Sequence, residues 1–134
     1  MAIFASDPTT DRDRDLIQAA RKILEERYKP GWHQVGAALR TPAGKVFAAV
    51  HLEANVGRAA VCAEAIALGM AAAAGEAAIE TIVAVVHDGS VVSPCGICRE
   101  VITDYSPQAR VIVPDGSAAT VAHIEDLLPR KYTS

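Results

Sequence analysis

Three cysteines constrain this chain more than any other feature. Two stand in the run Pro94-Cys95-Gly96-Ile97-Cys98; the third, Cys62, opens the run Cys62-Ala63-Glu64 well upstream. Both runs lie where a helix is expected to begin. Residues 59–74 are strongly helical by propensity, and residues 96–105 follow Pro94 and close before Pro107. A helix N-terminus carries partial positive charge, which lowers a thiol's pKa and favours thiolate. Two intervening residues let Cys95 and Cys98 reach one ion, and Gly96 lets the backbone turn tightly between them. Cys62, Cys95 and Cys98 are therefore expected to ligate one zinc ion per chain.

A tetrahedral ion takes a fourth ligand. Either a histidine (His33, His51, His87 or His123) closes the site, or water occupies the position. Glu64 favours water. Two residues past Cys62, a carboxylate can reach a metal-bound water, take its proton and later deliver it to a leaving group. A redox dithiol at Cys95 and Cys98 is the competing reading. It fits less well, because such a pair follows the first strand and needs no third cysteine.

The rest of the composition narrows the class. The 134 residues are one domain's worth, 1–134, with no repeat or linker. Aromatics are only 4%, so alanine and valine carry the apolar volume and each buries little area. Stability is expected to lean on a metal or on partner subunits. Thirteen basic against sixteen acidic residues give a charge of −3, which leaves no basic surface for a nucleic acid. The longest apolar stretch, residues 65–75, is too short to span a bilayer. Residues 1–15 lack the apolar core of a signal peptide, so a cytoplasmic protein with reduced thiols is expected.

Thr10-Asp11-Arg12-Asp13 resembles a capping box with Asp in place of Glu. Leu16, Ile17, Ala20, Ile23 and Leu24 then mark one face of a helix that Pro30-Gly31 ends. Residues 35–41 and 46–52 read as a hairpin around Pro42-Ala43-Gly44-Lys45. Residues 59–74 predict a buried helix with Gly75 as its cap, and residues 81–86 a buried strand. Residues 110–113 predict another strand, with a turn at Pro114-Asp115-Gly116. A last short strand and a helical turn at residues 125–128 follow. The order α-β-β-α-β-α-β-β fits an α/β fold with a mixed sheet covered by helices.

At the cysteine motifs the chain resembles the cytidine deaminase family: Cys62-Ala63-Glu64, then Ser93-Pro94-Cys95-Gly96-Ile97-Cys98-Arg99. The resemblance extends through Val35-Gly36-Ala37-Ala38-Leu39 and Asp126-Leu127-Leu128-Pro129, about residues 16–129. The family's small tetrameric branch, which includes blasticidin-S deaminase, is similar in length and in the three-cysteine site. The resemblance implies a three-layer α/β/α fold with a five-stranded mixed sheet. It also implies a homotetramer whose sites borrow residues from neighbouring subunits. It makes Cys62, Cys95 and Cys98 the zinc ligands and Glu64 the proton shuttle in hydrolytic deamination of an aminated heterocycle. Glu53, His51, Trp32, His33, Ala63 and Ser93 become the substrate contacts.

Three positions depart from the family pattern. In His51-Leu52-Glu53-Ala54-Asn55, Glu53 matches the ribose-binding glutamate, but His51 replaces an asparagine. A histidine can still donate to a hydroxyl; the other reading makes it a strand-end residue. Trp32 and His33 stand where an aromatic residue should stack on the ring; Trp32 either does so or packs on a neighbouring subunit. Ala65 replaces an arginine that offsets the charge of three thiolates, leaving Arg58 or Arg99 as the sources of positive charge. Cytidine or deoxycytidine is the first substrate on family grounds. Blasticidin S, or a free base or triazine lacking ribose, is the alternative. A binding module with purely structural zinc is the alternative from another class.

Overall fold

The computed structural model describes residues 6–134; residues 1–5, the start of the polar N-terminal segment, lie outside the described residues. In chain order the elements are β1 (Asp7–Pro8), α1 (Asp11–Arg27), β2 (Val35–Arg40), β3 (Val46–Val50), a 3-10 turn (Gly57–Ala59) and α2 (Ala63–Ala73). β4 (Thr81–Val86), β5 (Val91–Val92), α3 (Gly96–Tyr105), β6 (Arg110–Asp115), β7 (Ala118–His123) and α4 (Ile124–Leu127) follow. One mixed sheet runs β1-β7-β6-β4-β2-β3, with β5 on β4. Among the described residues only β4 and β6 pair in parallel. The five longer strands are those read from the sequence; β1 and β5, two residues each, are too short to leave a pattern.

Strand alternation sorts the sheet's two faces. Ala38, Val83, Val85, Ile112 and Val121 pack with Leu16, Ile17, Ala20 and Leu24 of α1. Their neighbours Leu39, Ile82, Val111, Val113 and Ala122 pack on the opposite face with Ala67, Leu68 and Ala71 of α2 and Ile102 of α3. A third group, Ala37, Ala63 and Ala84, is all alanine. Small side chains there let the N-terminal turn of α2 sit close on β2 and β4.

Thr10 and Asp13 close the capping box reciprocally: the Asp13 amide donates to Thr10 Oγ1 (3.2 Å) and the Thr10 amide to Asp13 Oδ2 (2.9 Å). The helix ends at Arg27, before Pro30-Gly31, because Tyr28 turns away and stacks on His87, with ring centroids 3.9 Å apart. The expected helix over residues 59–74 begins later, at Ala63, with Cys62 as its N-cap. It is also buried on one side only, since Gly69, Met70 and Ala73 are exposed. β6 runs on through Pro114, where β7 is its partner and β4 no longer pairs. A proline, lacking an N–H, is tolerated where a strand is paired on one side only.

Gly36 shows how closely α1 lies on the sheet. A Cβ there would stand 2.6 Å from the Ala20 carbonyl oxygen and 2.8 Å from Leu24 Cβ. Gly36→Ala is expected to destabilise the fold by about 1–3 kcal/mol through overpacking. Thermal unfolding checks this; an unchanged Tm would mean that α1 moves aside freely.

Candidate active site

α2 and α3 lie on the same face of the sheet with their N-termini converging. Cys62 is the N-cap of α2 and Cys95 the N-cap of α3, while Cys98 sits in the first turn of α3. Two hydrogen bonds pin the approach to Cys62: the Leu52 amide donates to the Val61 carbonyl (3.0 Å) and the Val61 amide to the Leu52 carbonyl (2.9 Å). The three sulfurs lie within 4.8 Å of one another, with Cys62 and Cys95 Sγ 3.4 Å apart. Zinc–sulfur bonds of about 2.3 Å put tetrahedral ligands about 3.8 Å apart, so the cluster has the dimensions and the soft donors that zinc takes. Cys98 is buried, Cys62 half-buried and Cys95 exposed.

Burial pushes the Cys98 and Cys62 thiols up in the metal-free protein, and Glu64 adds to both. Burial also raises Cys95, but the backbone amides of Cys98 and Ile97, with the neighbouring thiols, outweigh it and leave that thiol low. Cys95 is thus the readiest of the three to meet an ion as thiolate.

Glu64 lies in the first turn of α2, is only 6% exposed and forms no ion pair among the described residues. Burial raises its carboxyl above the usual range. That shift brings its proton exchange toward neutrality, where a group that must both take and give a proton is most effective. Glu64, Cys62, Cys95, Ala63, Ser93 and His51 line one pocket of about 200 Å³. Val35, Ala60, Val61 and Val92 form its apolar walls. These walls carry no chemical signature in the sequence, and only the meeting of β2, β5 and the segment before α2 brings them together. A larger cleft of about 330 Å³ beside α1 contains neither a thiol nor a carboxylate.

The remaining sequence candidates are placed differently. His33 lies outside the pocket lining and donates from Nδ1 to the His51 carbonyl (2.9 Å). Trp32 is 42% exposed and also outside the lining, with Lys29 Nζ 5.9 Å from its ring centroid. Glu53 is beside the pocket, its Oε2 4.0 Å from His51 Nε2. His51 Nδ1 accepts from the amides of Gln34 (2.9 Å) and Val35 (3.2 Å). Burial, aided by His33, lowers the His51 pKa against the pull of Glu53.

Arg99 donates to the carbonyls of Pro94 and Leu127, both at 2.9 Å, bracing the Cys95 loop against α4. It pairs with carbonyls, not with a buried acid. Arg58 lies exposed in the 3-10 turn.

Comparison with known proteins follows the same residues. The family model for the cytidine and deoxycytidylate deaminase zinc-binding region matches residues 10–114. Blasticidin-S deaminase of Bacillus cereus is 43% identical over 132 residues, covering 92% of this chain and 94% of that protein. Cytidine deaminase of Sporosarcina psychrophila is 32% identical over 91 residues, 67% of each chain. The crystal structure of cytidine deaminase from Burkholderia pseudomallei superposes with a TM-score of 0.76 at 34% identity, covering 92% of this chain and all of that one (100%). A zinc-binding region, a three-cysteine cluster and a shared fold agree: the chain belongs to the cytidine and deoxycytidylate deaminase family of zinc-dependent hydrolases.

Proposed function

We propose that this deaminase acts on the cytosine ring of a nucleoside, cytidine or deoxycytidine, with Glu64 as the catalytic proton carrier and Cys62, Cys95 and Cys98 as the ligands of one zinc ion per chain. The observation that carries the reading is the buried Glu64 carboxyl in the same small pocket as Cys62 and Cys95. Bound zinc supplies a Lewis acid that makes water a nucleophile at neutral pH. Glu64 takes the proton that this water gives up as its oxygen bonds to the ring carbon bearing the amino group. Glu64 hands that proton to the adjacent ring nitrogen, then takes the remaining proton of the added hydroxyl and delivers it to the amino nitrogen as the carbon–nitrogen bond breaks. Ammonia leaves and a ring carbonyl remains. The valine walls hold the flat ring and exclude bulk water, and the backbone at Ser93 accepts from the amino group.

A second substrate, blasticidin S, is favoured by the 43% identity with blasticidin-S deaminase, against 32% for the cytidine deaminase. The test is ammonia release from zinc-loaded protein given cytidine, 2′-deoxycytidine or blasticidin S. Release from the nucleosides is the expected result. Release from blasticidin S alone moves the substrate to the second reading, and release from none rejects both.

The same reading includes a homo-oligomer, a tetramer, as the family resemblance implies. The outer side of α2 leaves Met70 43% exposed, and Ile97 beside the ligand loop is 71% exposed. A solution mass equal to one 14.1 kDa chain would reject this. Zinc-bound thiolates suit a reducing compartment such as the cytoplasm. No helix of the described residues is long and apolar enough to cross a membrane.

A further inference from the structure

The larger cleft beside α1 owes its existence to the way β4 and β6 part. These strands pair in parallel only at Thr81–Arg110 and Ile82–Val111; farther on, β5 takes β6's place beside β4, at Ala84 and Val85. β6 continues past this point to Asp115 and turns back through Gly116 into β7. A crevice therefore opens beyond the carboxyl ends of a parallel pair, where ligands commonly enter α/β sheets. β5 divides it from the active site. Val91 packs with the α1 core and lines the cleft, while Val92 packs with Ala63 on the other face and lines the Glu64 pocket. The two cavities share no lining residue.

Charge in the cleft has one sign. Arg14 and Arg21 stand on one side of α1, about two helical turns apart, and no acidic side chain lines the cleft, in a chain of net charge −3. Arg21 is half-buried and is fixed by a bond across 68 residues: its Nε donates to the Gly89 carbonyl (2.9 Å). The fit is close, since a Cβ at Gly89 would stand 3.4 Å from that Nε. The bond orients the guanidinium and leaves Nη1 and Nη2 with no acceptor among the described residues. Arg14 donates to the Thr9 carbonyl (3.1 Å) and shares its charge with Asp11, which is outside the lining. Glu25 and Asp88 line a neighbouring pocket that Arg21 also borders, and neither forms an ion pair with it. Asp88 instead accepts from the Ser90 amide (2.9 Å).

These groups select the ligand. The arginines approach from α1, the Ser90 hydroxyl from the start of β5 and the Ser117 hydroxyl from the β6–β7 turn. A tetrahedral oxyanion presents acceptor oxygens to all three sides, whereas a carboxylate presents two in one plane. Arginine's planar fork matches phosphate. The volume of about 330 Å³ falls within the range of small-molecule sites, and Ile17 and Val91 offer apolar surface to an attached organic group. We propose that this cleft is a second ligand site, separate from the deamination pocket, that binds a phosphate monoester with Arg21 as its anchor.

The test is isothermal titration calorimetry of phenyl phosphate into the full-length zinc-loaded protein, in buffer free of phosphate and sulfate. The wild type is expected to saturate with one phenyl phosphate per chain. Arg21→Gln weakens binding about 10- to 100-fold, the weight of a hydrogen-bonded charge. Arg21→Lys falls between the two, because an ammonium keeps the charge without the fork. Lys22→Gln removes an exposed cation next in sequence but outside the lining, and changes the affinity by less than about threefold. Inorganic phosphate binds more weakly than phenyl phosphate and with the same dependence on Arg21. Circular dichroism of each variant confirms folding, and Arg21→Lys carries the test if Arg21→Gln does not fold. Absence of binding to the wild type overturns the proposal. So does an affinity unchanged in the folded Arg21 variants, which would place the anion elsewhere, as on the zinc. Equal losses in Arg21→Gln and Lys22→Gln overturn it as well, since they would show attraction by overall charge alone. Inorganic phosphate binding as tightly as phenyl phosphate overturns the choice of a monoester.

Discussion

Glu64→Gln retains its zinc and loses turnover by about 10⁴-fold, the upper end of the range for general acid–base catalysis. The upper end is expected because one carboxyl serves four successive proton transfers, two accepted and two donated, none of which glutamine makes. The substitution keeps the side chain's size, and Glu64 is not one of the clustered thiols, so the metal site is left intact. Metal content by atomic absorption and ammonia release on the same sample give the two readouts. Normal turnover would remove Glu64 from the chemistry. Loss of zinc together with activity would make it a structural support for the metal instead.

The largest effect on stability is expected at the opposite face of the sheet. Asp13 is fully buried, and both its oxygens accept from Arg110, at 2.7 and 2.8 Å. Arg110 Nη1 also donates to Thr81 Oγ1 (2.8 Å), so the pair joins the start of α1 to β4 and β6. Removing one partner of a buried pair costs about 3–5 kcal/mol. The Arg110 side chain is 28% exposed and regains some hydration, which places Asp13→Ala near the lower end. About 3 kcal/mol corresponds to a fall in Tm of about 10 °C for a chain of this size. Burial works against the charged form of Asp13, but Arg110 and the Thr10 cap outweigh it and hold the carboxyl below 3.8. A folded-state pKa below the unfolded one gives stability that is fully present above about pH 4 and is lost as pH falls through the depressed value. The Tm gap between wild type and Asp13→Ala should accordingly narrow in acid. A gap that stays constant down to pH 2 would show that the carboxylate's charge contributes nothing.

Asp13 also shows the limit of local reading. Its place in the capping box was legible, because Thr10 and Asp13 are three residues apart and the bonds are local. Its partner Arg110 was not, since 97 residues separate them and no periodicity links an acid in a helix to a base in a distant strand. The chemistry-bearing residues were legible for the same local reason. Cys95 and Cys98 carry their relation in their spacing, and Glu64 carries its own in its distance from Cys62. The pocket around them was not. Val35, Val61 and Val92 look like any apolar residue until three separate segments meet. Residues 59–62 read as helix on propensity, yet Ala59 closes the 3-10 turn and the paired backbone of Leu52 and Val61 holds residues 60–62 extended up to the N-cap.

The sequence by itself determined the three-cysteine pattern of a metal site, the carboxylate beside it and the order of the longer elements, because each rests on spacing of a few residues or on a period of two or 3.6. Only the tertiary structure decided how these parts meet. It brought the α2 and α3 N-termini together over a layer of alanines, and it set Trp32 and His33 outside the pocket. It turned His51 so that its Nδ1 accepts from the Gln34 and Val35 amides. The physical reason is that a side chain's orientation depends on which backbone groups compete for it, and for His51 those groups lie at the entry to β2, 16 and 17 residues away.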